Sequence, residues 1–140
     1  MAGDGAIIRI PMGGRLEGLS ILLVDDDPDG RDLLDYALSE AGATVITAAS
    51  AAEALERFKS CRPSIVVTDV AMPALDGVWL CEQIRALADP PRVPVVALTA
   101  LVFPRDRDRI QAAGFDAHLP KPYGLDDLHK VIELLTARRR

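Results

Sequence analysis

The chain has 140 residues, of which 49% are apolar and 26% are charged, a size and composition typical of one globular domain. Its net charge of −5 argues against a general nucleic-acid-binding surface, and we expect no nucleic acid partner. No apolar stretch reaches bilayer-spanning length and no secretory signal pattern is present, so we expect a cytoplasmic protein without a membrane partner. Cys61 and Cys81 lie far apart in sequence and are expected to be free thiols.

Three segments differ in composition along the chain. Residues 1–17 are rich in glycine and show no long hydrophobic period, which predicts a flexible leader. Residues 18–137 carry regular apolar patterns and are predicted to form the folded domain. Residues 138–140 are three arginines and are expected to be a solvated basic tail after the last helix.

Apolar runs of strand length alternate with stretches of helical periodicity within residues 18–137. Strands are predicted at residues 19–24, 44–48, 64–69, 93–98 and 117–119. Helices are predicted to begin after the N-cap residues Asp27 and Ser50 and near Val78, and to span residues 104–113 and 125–136. This alternation predicts an α/β fold, a doubly wound parallel sheet of five strands with five helices.

Acidic side chains follow the first and third predicted strands. Asp25 and Asp26 come directly after the first strand, and Asp69 ends the third. In the flavodoxin-like strand order 2-1-3-4-5 these two strands are neighbours, so the three carboxylates are expected to converge. Such a cluster favours a cation, and Mg²⁺ prefers oxygen ligands and keeps several waters. A capping role at the first helix is the alternative, but it explains Asp27 and not Asp69.

Thr99 and Lys121 follow the fourth and fifth predicted strands. A hydroxyl and an ammonium at this edge could stabilise charge on a transferred phosphoryl group. Each residue alone has an ordinary explanation, because threonine often ends a strand and lysine is usually exposed. Their order behind the acidic cluster is what predicts phosphoryl chemistry.

These motifs together resemble the response-regulator receiver domains of two-component and phosphorelay signalling, the family that includes CheY. The resemblance covers about residues 18–137. The matching motifs are, in chain order, Val24-Asp25-Asp26, Thr68-Asp69-Val70-Ala71-Met72-Pro73, Leu75-Asp76-Gly77, Leu98-Thr99-Ala100 and Leu119-Pro120-Lys121-Pro122.

The resemblance implies a metal site and a phosphoacceptor. Asp69 would accept a phosphoryl group from a phosphohistidine. Asp26 and Asp69 would bind Mg²⁺ directly, with Mn²⁺ as a substitute, and Asp25 would bind it partly through water. The backbone carbonyl of Ala71 would complete the protein ligands.

The resemblance also implies the parts of a switch. Thr99 would turn toward the phosphoryl group, and Lys121 would pair with its oxygens. The Lys121–Pro122 peptide bond is expected to be cis. His118 occupies the position where the family usually has tyrosine or phenylalanine as a switch residue. A switching role and an ordinary strand position are both open for it, and a switching histidine would titrate near neutral pH.

The implied function is a signalling phosphoacceptor and not an enzyme with an external substrate. Phosphorylation by a histidine kinase or a histidine phosphotransfer protein would repack the fourth and fifth β–α segments, and a downstream protein would bind the changed surface. A homodimer through the fourth helix, fifth strand and fifth helix remains open. Ala71 and Leu101 cannot hydrogen-bond water at positions that tune hydrolysis in the family, so we expect slow self-dephosphorylation.

Three other functions fit the sequence less well. Few residues follow the last predicted helix, so we expect a stand-alone receiver or the receiver piece of a hybrid kinase. A pseudo-receiver that binds partners without phosphorylation is the main alternative. A haloacid-dehalogenase-type phosphatase would need an aspartate where Ala71 stands. A flavodoxin would need a phosphate-binding loop where this chain has three aspartates that repel phosphate.

Overall fold

The computed structural model describes residues 15–87, 92–100 and 104–137, which form five strands and five helices in alternation. The strands are β1 (Ser20–Val24), β2 (Thr44–Ala48), β3 (Ile65–Asp69), β4 (Val95–Thr99) and β5 (Ala117–Pro120). The helices are α1 (Pro28–Glu40), α2 (Ala51–Cys61), α3 (Gly77–Ala86), α4 (Pro104–Ala113) and α5 (Leu125–Ala137). All neighbouring strands are parallel, in the order β2-β1-β3-β4-β5, which confirms the predicted flavodoxin-like fold.

The sheet is covered on both faces by apolar side chains. On one face Phe58 of α2 and Leu80 of α3 pack against β1, β3 and β4. On the other face Leu38 of α1 and Ile132 of α5 pack against the same strands. Every residue of β3 and β4 is buried. This two-sided burial explains why the central strands read as continuous apolar runs.

Polar side chains set the starts of three helices. The carboxylate of Asp27 accepts a hydrogen bond from the Gly30 N–H, and the Ser50 hydroxyl oxygen accepts one from the Glu53 N–H. Asp76 caps α3 in the same way. At the predicted capping box, the Glu53 carboxylate accepts from the Ala49 N–H, one residue before the N-cap. The start of the helix that follows Asp27 is therefore set by a local hydrogen bond, which is why it was predictable.

The folded unit begins earlier than the predicted boundary at residue 18. Leu16 is fully buried, and its N–H donates to the Ala41 carbonyl at 2.7 Å. Arg15 forms an ion pair with Glu133 of α5 at 2.7 Å. The prediction of a flexible leader is therefore wrong for Arg15 and Leu16, since both are held by contacts distant in sequence. Residues 1–14 and the predicted basic tail at residues 138–140 lie outside the described residues.

Two further sequence expectations concern strand limits and cysteines. β4 begins at Val95, two residues later than predicted, and the preceding Pro94 has no N–H to donate to a neighbouring strand. Cys61 is exposed, Cys81 is buried, and both are free, as predicted.

Within the described residues, no helix combines the length and apolar character needed to cross a bilayer.

A charged cluster connects α3 to the start of β4 and β5. Arg85 donates to the Asp116 carboxylate at 2.7 Å and to the carbonyls of Val93 and Gly114 at 2.7 and 3.0 Å. Asp116 also pairs with Arg92 and accepts from the Val95 N–H at 2.8 Å. The side chains of Arg85 and Asp116 are only 20% and 15% exposed. Their pairing therefore fixes three segments at the edge of the sheet opposite the acidic residues.

Asp116→Ala is expected to lower the free energy of unfolding by about 3 kcal/mol, because removing one partner leaves a largely buried guanidinium unpaired. Urea unfolding of wild type and variant measures the change. Asp108→Ala, which removes an exposed carboxylate from α4, is the control and should change stability by less than about 0.5 kcal/mol. Equal effects of the two substitutions would show that the cluster contributes no more than a surface charge.

Candidate functional site

The predicted acidic residues meet at the carboxyl ends of β1 and β3. These strands pair in register, with Val24 opposite Thr68, so the residues that follow lie side by side. One carboxylate oxygen each of Asp25, Asp26 and Asp69 lies within 4.8 Å of the others. The parallel sheet thus brings together three residues that are up to 44 positions apart in the chain.

The three carboxylates differ in exposure. Asp25 and Asp69 are each 6% exposed, whereas Asp26 is exposed to solvent. Asp25 Oδ1 accepts a hydrogen bond from the Asp27 N–H at 2.9 Å, which holds the start of the β1–α1 loop. Arg31 of α1 donates to the backbone carbonyl of Asp25 at 2.8 Å. The loop that carries Asp25 and Asp26 is therefore held from the protein side and open on the solvent side.

Asp69 lies in an unfavourable electrostatic position for a carboxylate. Burial, and next the adjacent Asp25 carboxyl, raise its pKa to about 6, while Lys121 lowers it. Lys121 Nζ lies 2.7 Å from Asp69 Oδ1 as an ion pair. This ammonium is the partner of that buried oxygen, which receives no further hydrogen bond from the described residues. One ammonium thus only partly offsets the repulsion between two nearly buried carboxylates.

This arrangement fits a small divalent cation. Carboxylate oxygens are the ligands that Mg²⁺ prefers, and Asp69 Oδ1 is buried with Lys121 Nζ as its partner among the described residues. A cation between Asp25, Asp26 and Asp69 would remove the repulsion that raises the pKa of Asp69. Ala71, the predicted carbonyl ligand, is an exposed residue of the loop after β3. The chemistry of these oxygen donors therefore suits Mg²⁺.

Thr99 and Lys121 occupy adjacent strand ends. Thr99 is the last residue of β4 and is 5% exposed. Its carbonyl accepts a hydrogen bond from the Lys121 N–H at 2.7 Å, which places the lysine beside Asp69. The Lys121–Pro122 peptide bond is cis, as the resemblance implied. Thr99 also lines a cavity of about 240 Å³ with Ala71, between the loop after β3 and α4.

His118, the predicted departure from the family pattern, lies on β5 and is exposed. It lines a groove of about 320 Å³ with Arg107 and Gln111 of α4. It is therefore next to the helix that a switch residue would contact, on the solvent side of the sheet edge. Its switching role stays a prediction.

A cleft of about 450 Å³ opens beside the acidic residues, between α1 and the segment after β5. Its polar part is formed by Asp25, Asp69 and Lys121, and its apolar part includes Leu33 and Tyr123. Burial, and next the nearby Asp69 and Asp25, raise the pKa of the Tyr123 phenol to about 12. The phenol therefore stays protonated in the physiological range, and a molecule in the cleft would reach Asp69 past an apolar wall.

Sequence reasoning gave no physical role to Gly77 and did not single out Arg31. A Cβ atom on Gly77 would lie 2.3 Å from the Asp69 carbonyl oxygen and 2.9 Å from Val70 Cα. The Gly77 N–H donates to the Val70 carbonyl at 2.9 Å, which closes the loop after β3. Only glycine, which has no Cβ atom, allows the backbone to approach this closely. The sequence signal for this requirement was the glycine that follows an aspartate in the turn.

Comparisons with known proteins agree with this geometry. A family model described as the response regulator receiver domain matches residues 21–133. An uncharacterized 14.6 kDa protein of Leptolyngbya boryana is 40% identical over 118 residues, 84% of this chain and 90% of that protein. The response regulator MprA of Mycobacterium ulcerans is 41% identical over 120 residues, 86% of this chain and 51% of that protein. The chain thus spans about half the length of MprA.

A solved structure has the same fold and contains a metal ion. The receiver domain of the sensor histidine kinase PA1611 from Pseudomonas aeruginosa superposes with a TM-score of 0.79 at 30% identity, covering 86% of this chain and 98% of that chain. It is described with a magnesium ion coordinated in its active-site cleft. From the matched family model, the relatives and the shared fold, the chain belongs to the response regulator receiver domain family.

Proposed function

We propose that this receiver domain is a working phosphoacceptor in which Asp69 takes a phosphoryl group from a phosphohistidine. The observation that carries the proposal is the position of Asp69. It is a nearly buried carboxylate with two acidic neighbours within 4.8 Å and an ammonium at 2.7 Å. A purely structural aspartate would be satisfied by its hydrogen bonds, whereas Asp69 Oδ1 has one ammonium partner among the described residues and lies beside two carboxyl groups.

The chemistry follows from these positions. An Asp69 oxygen forms a bond to phosphorus while the phosphorus–nitrogen bond of the donor breaks. The imidazole leaves with the electron pair and takes up a proton from solvent. Lys121, whose Nζ lies 2.7 Å from Asp69 Oδ1, would pair with the phosphoryl oxygens, and Asp25, Asp26, Asp69 and the Ala71 carbonyl would hold Mg²⁺. Bound Mg²⁺ supplies positive charge that offsets the charge of those oxygens.

The output rests on Thr99 and the segments that follow it. The phosphorylated Asp69 is a new acceptor for the buried Thr99 hydroxyl, and the cavity between the loop after β3 and α4 gives this side chain room to turn. The change would shift the surface formed by β4, α4, β5 and α5, which a downstream protein binds. The donor, a histidine kinase or histidine phosphotransfer protein, would approach through the cleft beside Asp69, in the cytoplasm.

The test is the intact mass of the chain after incubation with acetyl phosphate or phosphoramidate. We expect wild type to gain one phosphoryl group with Mg²⁺ and none with a chelator. Asp69→Asn should gain none in either condition. Asp29→Asn, which changes an exposed carboxylate in the first turn of α1, is the matched control and should behave as wild type.

Failure to phosphorylate would support a different function. If folded wild type gains no phosphoryl group from either donor, the phosphoacceptor proposal is wrong. The pseudo-receiver alternative, a binding module that acts without phosphorylation, would then be favoured. A gain that persists in Asp69→Asn would instead place the acceptor at another residue.

A further inference from the structure

Arg31 makes a contact that no motif predicted. It lies in the first turns of α1, is half-buried, and donates from its guanidinium to the Asp25 carbonyl oxygen at 2.8 Å. The donor and acceptor are six positions apart, so this is not a contact within one helix. It connects α1 to the first residue after β1, where the strand's own hydrogen-bonded ladder ends.

The contact fixes one peptide group of the acidic loop. The Asp25 N–H already donates to the Ala48 carbonyl at 3.2 Å, which holds the chain on the side of β2. The Asp25 carbonyl belongs to the planar peptide that joins Asp25 to Asp26. With that carbonyl held by Arg31, the positions of the Asp26 N and Cα atoms are fixed, which limits where the Asp26 carboxylate can lie. This matters for Asp26 because it is the exposed member of the cluster and has no surrounding core to orient it.

Arg31 also differs from Lys121 in what it touches. Lys121 contacts a carboxylate oxygen of Asp69, an atom that a metal would also use. Arg31 contacts a backbone oxygen and leaves the carboxylates of the cluster available. Its charge lies close enough to α2 to add to the lowering of the Glu53 pKa, which the Ala49 N–H mainly causes. The guanidinium thus contacts the acidic loop and acts on Glu53 of α2 through its charge.

We propose that Arg31 is a positioning residue for the metal site, and that its bond to the Asp25 carbonyl directs the Asp26 carboxylate toward Asp25 and Asp69. The inference rests on the proposed function, because it assumes that this cluster binds Mg²⁺. Removing a group that hydrogen-bonds to a metal ligand and holds it in place typically lowers metal affinity by about 10- to 100-fold. The opposite sign is expected if only charge matters, since a nearby cation repels Mg²⁺ and its removal would strengthen binding.

The experiment measures Mg²⁺ affinity of the full chain from amide NMR shifts, in wild type, Arg31→Met and Arg31→Lys. We expect Arg31→Met to bind Mg²⁺ about tenfold more weakly. Arg31→Lys keeps the charge but offers a differently shaped donor, so it should fall between, about threefold weaker than wild type. Arg57→Met, which removes an exposed cation of α2 that pairs with Glu53, is the control and should bind as wild type.

Each outcome separates the two proposals. Arg31→Met affinity equal to wild type, or tighter, overturns the role of Arg31 and leaves the metal site intact. Absence of Mg²⁺ binding in wild type overturns both. Thermal unfolding in chelator, measured in parallel, shows whether a variant is folded without metal. If Arg31→Met is not folded, Arg31→Lys decides, because affinity equal to wild type contradicts positioning and weaker affinity supports it.

Discussion

Gly77→Ala is expected to lower the free energy of unfolding by about 2–3 kcal/mol and to weaken Mg²⁺ binding together with it. The added Cβ would lie 2.3 Å from the Asp69 carbonyl oxygen and 2.9 Å from Val70 Cα, both of them backbone atoms. Backbone atoms in a buried strand end cannot swing aside as the tip of a flexible side chain can. Either α3 or the end of β3 must shift.

Helix propensity acts in the opposite direction at this position. Alanine in place of a glycine within a helix normally stabilises by up to about 1 kcal/mol. The overlap with the Asp69 carbonyl is expected to outweigh this gain, because overpacking commonly costs about 1–3 kcal/mol. The displaced atoms belong to the metal-site aspartate, so stability and Mg²⁺ affinity should fall together.

Gly124→Ala provides the matched control for this substitution. A Cβ on Gly124 would meet only Asp127 Oδ2, at 3.4 Å, which is an ordinary contact. Urea unfolding and Mg²⁺ titration of both variants give the comparison. A Gly77→Ala protein as stable as Gly124→Ala, with wild-type Mg²⁺ affinity, would mean that the loop after β3 relaxes without cost.

The acidic cluster was predictable from sequence because it follows from topology alone. Apolar runs that end in Asp25 and Asp69 predict neighbouring parallel strands, and parallel strands place their carboxyl ends at one edge. Thr99 and Lys121 follow from the same rule. The sheet order and the helix that follows Asp27 could be read because local patterns and long-range packing agree there.

Other features depend on contacts between segments that sequence patterns do not relate. Leu16 follows a glycine-rich stretch, yet it is fully buried and bonded to Ala41. Arg31 looks like any exposed charge on an amphipathic helix, and its bond to the Asp25 carbonyl exists only because α1 turns back over the end of β1. The need for glycine at position 77 arises from the approach of α3 to the Asp69 carbonyl. Such requirements are properties of the assembled fold.

Asp69→Asn is expected to make the metal-free protein more stable at neutral pH while abolishing phosphorylation. In the folded protein, burial and the Asp25 carboxyl raise the Asp69 pKa from 3.8 to about 6. The ionised carboxylate is therefore disfavoured by folding. An asparagine removes the charge and can donate to Asp25, at the cost of the ion pair with Lys121, whose side chain is 43% exposed.

The pH dependence of this effect has a definite sign. Because the folded pKa of Asp69 is raised, the folded state holds a proton that the unfolded chain releases between pH 3.8 and about 6. The favourable contribution of the protonated carboxyl is complete below pH 3.8 and is lost as the pH rises through about 6. The advantage of Asp69→Asn should thus be absent at the acid end of this window and full above it.

The expected size is about 2–3 kcal/mol above pH 6. A shift of about two pKa units corresponds to about 2.7 kcal/mol, and the pKa of about 6 already includes the attraction to Lys121. Mg²⁺ should reverse the order of stability. A ligand at 1,000-fold its Kd adds about 4.1 kcal/mol to a protein that binds it, which exceeds the advantage of the variant, and the variant has lost a carboxylate of the cluster.

The measurement is urea unfolding of wild type and Asp69→Asn from pH 4 to 8, with Mg²⁺ and with chelator. Asp108→Asn, an exposed substitution on α4, controls for the loss of one negative charge from an acidic chain. If the variant is less stable than wild type in chelator at pH 7.5, the Lys121 ion pair outweighs the repulsion from Asp25. If its advantage grows from pH 4 to about 6 and it gains little from Mg²⁺, Asp69 is a destabilised carboxylate whose charge a cation would offset. That destabilisation would then favour the proposed binding of a cation between the three carboxylates.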